Sequence, residues 1–271
     1  MKIKKYLISF GSPNLKLTTE RFLKQGNNIN YFDKVKVFSI NDLNKNDKNK
    51  LLKLLKNKKN KKGYGFWFWK PMIIKKFLRK INKNDIVNYV DLGCHINPLG
   101  KKRLDYYIKR LNKSKNGMLC FQYKELPRLN NIKFKFQDIY EFKYTKADLF
   151  HYFNVFKKKN ITQSAQFWAG NILLKKNTFT KRFVNSWLKV FNERFDLVDD
   201  TRSKNKNFKN FVKNKSDQSI FSLLCKINKV DSISAYECEW IYYKKKRYWT
   251  HTLKSPIIAK RDKKFSKTTF H

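Results

Sequence analysis

Gly63-Tyr-Gly-Phe-Trp-Phe-Trp-Lys-Pro71, followed by Asp85-Ile-Val-Asn-Tyr-Val-Asp-Leu-Gly-Cys94, is the stretch on which the reading of this chain turns. Pro71 suits the first turn of a helix, where its missing N–H would be unpaired anyway. Met72, Ile73, Ile74, Phe77 and Leu78 then repeat at helical spacing. Asn82 to Asp85 break that pattern, and Ile86 to Val90 read as a buried strand, so Asp91 stands where the strand leaves its sheet. In open α/β sheets, ligands bind beyond the carboxyl ends of the strands. Asp91 is therefore a candidate ligand or metal contact, its alternative being a structural acid satisfied by backbone N–H groups. In the aromatic block Phe66 and Phe68 are expected in the core. Lys70, just ahead of the helix, is either a phosphate contact or a solvated flank.

Outward from this stretch, strand and helix alternate. Tyr6 to Phe10 reads as a strand, Thr18 to Gln25 as a helix stopped by Gly26, and Val35 to Ile40 as a second strand. Asn41 to Asn57 reads as a helix with Leu51, Leu52, Leu54 and Leu55 facing inward, and Lys56 to Lys62 as a polybasic loop. A helix through Leu104, Tyr107, Ile108 and Leu111 precedes a short strand from Met118 to Gln122. Thr145 to Asp148 fits a capping box for a helix through Leu149, Tyr152 and Phe156. Phe167 to Leu174 reads as a strand interrupted by Ala169-Gly170-Asn171, and Phe179 to Phe195 as an amphipathic helix. A polar loop from Thr201 to Lys215 leads to Ser216-Asp-Gln-Ser219, which opens a helix with Ser216 as N-cap. The alternation predicts an α/β fold, a three-layer α/β/α sandwich with a mainly parallel central sheet. One domain over 1–271 is expected, with a basic tail over about 260–271 that is poorly ordered at its end.

Composition bounds the function without choosing it. A chain of 271 residues with 41% hydrophobic and 16% aromatic content is globular in character, yet its formal net charge is +43. Most of the lysines read as a solvated surface. Together they also make a field that attracts nucleotide diphosphates, anionic glycans, nucleic acid or an acidic membrane. Cys94, Cys120, Cys225 and Cys238 show no C-x-x-C spacing, which excludes a zinc or redox motif and predicts reduced thiols in a cytoplasmic protein. The basic, apolar start from Met1 to Phe10 is too short for a signal peptide, and no stretch has the length of a membrane span. Membrane contact would be peripheral, on the inner face. No phosphate-binding G-x-x-x-x-G-K-[ST] loop, dinucleotide G-x-G-x-x-G fingerprint or G-x-S-x-G elbow occurs.

The order of the opening stretch resembles a group of bacterial and viral glycosyltransferases with a nucleotide-sugar-binding, GT-A-like fold. Those enzymes place an Asp-x-Asp signature at a strand end to hold a divalent cation on the nucleotide diphosphate. Here the signature reads Asp91-Leu92-Gly93. The resemblance implies Mn²⁺ or Mg²⁺ on Asp91, with a second ligand from elsewhere or from water: His251, which with Lys254 distantly resembles the C-terminal His and Lys of glycogenin-type enzymes, or, independently and by its closeness in sequence, His95. Ala169-Gly170-Asn171 resembles the Asn-Ala-Gly turn of the same enzymes, with Trp168 in place of its Asn. Asp217-Gln218 resembles their Asp-Gln element, which contacts sugar hydroxyls or the positive charge developing at the reacting carbon. Its purely structural alternative is an acid favoured by the helix dipole.

The resemblance thus implies an enzyme that moves a sugar from a nucleoside diphosphate sugar, a UDP-sugar foremost, to a glycan or glycolipid acceptor. Asp217 and Gln218 are its catalytic candidates. Lys70, Tyr89, Asp91, Gly93, Ala169, Gly170 and Asn171 are its donor-binding candidates, and Asp91, His251 and His95 its metal candidates. Two other classes compete. Basic residues interleaved with aromatics fit a nucleic-acid binder, although no nucleic-acid motif occurs and the charge is not confined to one stripe. A glycosyltransferase relative without activity, binding anionic glycan or membrane, fits the Asp-x-Gly signature.

Overall fold

The structure, a computed structural model, describes residues 2–125, 135 and 137–263. The strands are β1 (Lys5–Phe10), β2 (Lys34–Phe38), β3 (Ile86–Val90), β4 (His95–Ile96), β5 (Met118–Gln122), β6 (Phe167–Lys175), β7 (Asp231–Ser234), β8 (Ile241–Tyr243), β9 (Lys246–Tyr248) and β10 (Ile257–Ile258). The helices are α1 (Lys16–Asn28), α2 (Lys45–Lys56), α3 (Gly63–Phe66), α4 (Trp69–Lys80), α5 (Lys101–Lys113), α6 (Glu141–Tyr144), α7 (Ala147–Tyr152), α8 (Lys159–Thr162), α9 (Thr178–Glu193) and α10 (Asp217–Ile227).

Among the described residues, six strands form the central sheet in the order β2-β1-β3-β6-β5-β7. Only β6 runs against its neighbours, pairing antiparallel with both β3 and β5, while the other pairs are parallel. The sheet is therefore mixed but mostly parallel. Alternation along each strand divides the core: Ile8, Val87, Tyr89, Cys120 and Ile172 face α4, α9 and α10. Leu7, Ile86, Val90, Leu119 and Leu173 face α1 and α5 on the other side. Period-two burial on both faces is what a sheet covered by helices on each side requires. No helix among the described residues is long and apolar enough to cross a membrane, and all four cysteines are free and buried.

Several local readings need correction. Gly26 does not stop α1, which runs on to Asn28. A Cβ on Gly26 would come within 2.8 Å of Val35 and 2.9 Å of Leu7, so the glycine lets the helix lie close on the sheet. Leu52 is exposed, unlike its neighbour Leu51. Thr145 makes no capping box: its hydroxyl donates to Glu141, and Asp148 accepts from the backbone N–H groups of Lys204 and Asn205. The helix there ends at Tyr152, short of Phe156. The poorly ordered end of the basic tail lies largely outside the described residues. Lys260, Arg261 and Asp262, at the start of that tail, are by contrast docked, with the Asp262 N–H donating to Gly93 O at 2.9 Å.

The aromatic block takes an unexpected path. Gly63, Tyr64, Gly65, Phe66 and Trp67 all have positive φ, forming a left-handed turn before α4. For each of the three non-glycine residues this costs about 1–2 kcal/mol. Burial of an aromatic ring returns about 1.5–3 kcal/mol, and Phe66, Phe68 and Trp69 are all at least 94% buried. Trp69 stacks on Phe10 with centroids 4.3 Å apart, and Phe68 stacks on Phe191 at 5.0 Å. Packing thus outweighs the strain, and the turn delivers Trp67 and Lys70 to the sheet's carboxyl edge.

Candidate active site

A cavity of about 450 Å³ opens at the carboxyl ends of β1 and β3, beside the start of β6. Antiparallel β6 begins at the edge where its parallel neighbours end, so its first residues join the same rim. Asp91, Gly93, Ala169, Gly170, Asp217 and Gln218 line this cavity, together with Lys70. The three sequence elements separated along most of the chain therefore share one pocket. A backbone bond from Asp91 N–H to Gly170 O, 2.8 Å, ties the first two together. Opposite Ala169, Gly170 and Asn171 the pairing of β5 with β6 shifts, from Cys120 against Ile172 to Phe121 against Trp168. The interruption read from the small residues is thus a real irregularity of the ladder. A Cβ on Gly170 would lie 2.4 Å from the Trp168 indole, so only glycine lets that ring fold back over the strand.

At the cavity floor sits a buried triad of charges. Lys70, 2% exposed, donates to Asp217 Oδ2 at 2.7 Å and to Ala169 O at 3.1 Å, and pairs with Asp91 Oδ1 at 3.2 Å. An ammonium has three N–H donors, so this lysine is committed to the protein's own acceptors instead of standing free for a phosphate. Burial works against its charge, but the Asp217 and Asp91 carboxylates outweigh burial and hold Lys70 above its ordinary pKa. Tyr89, fully buried, donates from its hydroxyl to Asp91 Oδ1 at 2.5 Å. It acts behind Asp91 and does not line the cavity. Asp217 is 4% exposed at the start of α10. Burial pushes its carboxyl up to about 6, with Lys70 opposing the shift and Asp91 adding to it.

The approach to Asp217 is unusual. Ser216 has φ +53°, and its side chain caps nothing. Its Oγ is buried without a partner among the described residues. Ser219 instead ties down the segment ahead of the helix: its Oγ accepts from Lys215 N–H at 3.0 Å and donates to Tyr144 O at 2.7 Å. A non-glycine residue held at positive φ is strain that persists only where its surroundings fix it, often at functional sites. Gln218 lines the cavity, but its amide nitrogen is turned to Gln166 Oε1 at 2.8 Å. Gln166 in turn donates to buried Glu141.

Three other candidates lie apart from the cavity. Asn171 is fully buried on the α1/α5 side, accepting from Asn88 at 2.7 Å, because the irregularity between Trp168 and Ile172 breaks the alternation that would otherwise put it on the face of Ala169. His251 is held by the carbonyls of Tyr236 and Glu239 at 2.9 and 3.0 Å. His95 bonds Gln25 through Nδ1 and Asp262 through Nε2, and burial, with Arg21 beside it, lowers its pKa to about 4. Neither histidine lines the pocket.

The residues present do not fit a divalent cation. Such an ion on a diphosphate wants one or two carboxylates in a compact oxygen set. Asp91 Oδ1 already serves Tyr89 and the Lys70 ammonium, a like charge where the ion would come. The second acid of the signature is Gly93, whose Cβ direction is closed by the Arg261 backbone at 3.2 Å. Among the described residues no His, Cys, Asp and Glu side chains group in threes as metal ligands.

Residues that the sequence reading passed over complete the wall: Lys213, Lys215 and Arg261 all line the cavity. The Lys215 ammonium lies 4.9 Å from the Tyr144 ring centroid, and burial lowers its pKa to about 8. The Arg261 guanidinium stacks 4.4 Å from the Trp240 ring.

No protein-family model matches the sequence, and no curated protein matches it. Among solved structures, the chain is similar to a glycosyltransferase involved in the glycosylation of the major capsid of PBCV-1, at 10% identity and TM-score 0.49, over 94% of this chain and 91% of that one. It is also similar to mouse xyloside xylosyltransferase 1 in its apo form, at 10% identity and TM-score 0.40, over 87% of each chain. A third likeness is to apo glycosyltransferase GlyE of Streptococcus pneumoniae TIGR4, at 10% identity and TM-score 0.36, over 87% of this chain and 46% of that one. The chemistry that follows rests on the residues of the cavity.

Proposed function

We propose that this protein is a glycosyltransferase that moves a sugar from a nucleoside diphosphate sugar, a UDP-sugar foremost, to a glycan or glycolipid acceptor. The observation that carries the reading is the meeting of Asp91, Ala169-Gly170 and Asp217 in one cavity at the carboxyl edge of the sheet. A donor sugar must touch its diphosphate contacts and its hydroxyl contacts at once, so the elements that bind it have to line one pocket. Sugar transfer passes through a transition state with positive charge on the reacting carbon and negative charge on the departing diphosphate. A carboxylate fixed at the start of α10 is preorganised for the first of these. Small residues at 169 and 170 let the backbone come close to the sugar.

The reading is tested by thermal denaturation of the whole chain with UDP, GDP or a mixed-sequence oligonucleotide. A ligand at about a hundred times its Kd adds about 2.7 kcal/mol to stability. Stabilisation by one nucleotide and not by the oligonucleotide is the expected result. The reverse pattern would replace the enzyme by a nucleic-acid binder, the class to which the +43 charge also points.

The pH dependence follows from Asp217. With its carboxyl pushed up to about 6, the carboxylate needed at the sugar is lost as the pH falls below that value. Turnover should rise about tenfold per pH unit up to about pH 6 and level off above it. A pH–rate profile measured on the donor's hydrolysis checks this. A flat profile from pH 5 to 7 would remove Asp217 from the chemistry.

A further inference from the structure

We propose that the charge of the departing diphosphate is balanced by the side-chain cations Lys215 and Arg261, so that the donor is held and activated without a divalent metal. The inference rests on the nucleotide-sugar reading above and deepens it.

Three observations carry it. First, the place where a second metal-binding acid would stand is filled. Gly93 packs against the backbone of Arg261, and the Asp262 N–H donates to Gly93 O. A Cβ at 93 would meet the Arg261 backbone at 3.2 Å, so an acid restored there would crowd the C-terminal segment. Second, that segment is fastened in position. β10 pairs with β4, and Asp262 pairs with His95 at 3.0 Å and with Arg21 at 3.7 Å. Arg21 is 1% exposed and also donates to the carbonyls of Leu92 and Cys94, the loop that follows Asp91. The structure thus spends a buried arginine, a histidine and an acid on holding residue 261 beside the strand-end loop.

Third, the cations of the wall are available. Asp91 and Asp217 are taken up by Lys70. Lys215 and Arg261 rest on the faces of Tyr144 and Trp240. Glu239, whose charge acts on Lys215, is fully buried and bonded to Tyr123 and Gln137. An arginine and a lysine converging on one cavity are the residue types that bind phosphate oxygens, the first as a planar fork and the second as a point charge. In the transfer, the bond from the sugar carbon to the β-phosphate oxygen breaks and its electron pair stays on the phosphate. The acceptor oxygen bonds the carbon and gives its proton to water. Lys215 and Arg261 stabilise the charge that appears on the phosphate, which is the task a metal performs elsewhere.

The test is calorimetric titration of the whole chain with UDP and with GDP, in EDTA and in Mn²⁺. Affinity for the nucleotide that binds should agree within about threefold between the two conditions. Lys215→Met and Arg261→Met should each weaken it about tenfold, or about 1.4 kcal/mol. Melting curves of the free variants show whether each is folded, and Arg261→Met decides alone if Lys215→Met is not. Tightening by Mn²⁺ of about tenfold or more would overturn the inference and leave the glycosyltransferase reading intact. Variants that bind like the wild type would overturn the assignment of the two cations. Failure of both nucleotides to bind in either condition would overturn the glycosyltransferase reading itself.

Discussion

Asp217→Asn is expected to lower turnover by about 10²- to 10³-fold while changing nucleoside diphosphate affinity by less than about threefold. The substitution keeps the shape of the side chain, and its amide oxygen can still accept from Lys70, now 2.7 Å from Asp217 Oδ2. What it removes is a negative charge facing the sugar, needed chiefly when positive charge develops there. The loss should therefore fall on kcat and not on ground-state binding. Stability moves the other way. Burial raises the carboxyl to about 6, so between about pH 4 and 6 the folded protein binds a proton that the unfolded chain gives up. Stability is then greatest below the unfolded pKa and is lost as pH rises through about 6. Asp217→Asn carries no such penalty, and its melting temperature should hold steadier than the wild type's from pH 5 to 7. Equal losses in binding and turnover would mark Asp217 as part of the binding shell only.

How far the sequence reveals this molecule depends on the kind of signal each part leaves. The β3 strand and Asp91 at its end were legible because a strand buried on both faces reads as an unbroken apolar run, here Ile86 to Val90 with one asparagine. The irregularity in β6 was legible because Ala169 and Gly170 interrupt bulky residues. Gly26 misled, since a glycine that ends a helix and one that lets a helix approach a sheet look identical in one dimension. Asn171 misled for a related reason: regular alternation would set it on the face of Ala169, and the shift in the β5–β6 pairing that moves it to the other layer is invisible in one dimension. Lys215 and Arg261 left no signal at all. In a chain with 63 lysines and arginines, no single cation stands out. Only the folding of residues 260–262 onto Gly93 brings Arg261 to the site. The left-handed turn from Gly63 to Trp67 was equally hidden, because bulky aromatics argue against positive φ until their burial is known.

Lys70→Met is expected to cost about 3–5 kcal/mol of stability near neutral pH, the range for removing one partner of a buried charge pair. The stem of the side chain is 98% buried, and methionine fills nearly the same space, so little of the loss should come from packing. The cost arises because Asp91 and Asp217 lose the cation they share at 3.2 and 2.7 Å, and Ala169 O loses its donor. The folded variant can relieve this only by keeping one carboxyl protonated. Its deficit should therefore shrink as the pH falls toward 5, a steeper pH dependence than the wild type's. Adding Asp217→Asn should recover much of the stability, since a neutral amide no longer opposes Asp91, but none of the turnover. Urea denaturation of the single and double variants at about pH 5 and 7.5 separates the alternatives. A deficit that is the same at both pH values, and that Asp217→Asn fails to reduce, would mean that Lys70 supports the fold through packing. The charge triad would then have no part in setting the ionisation of Asp217. If the deficit narrows in acid and the second substitution repairs it, Lys70 is the counter-ion that lets an acid stay ionised in a buried site, where it can meet the positive charge of the departing sugar.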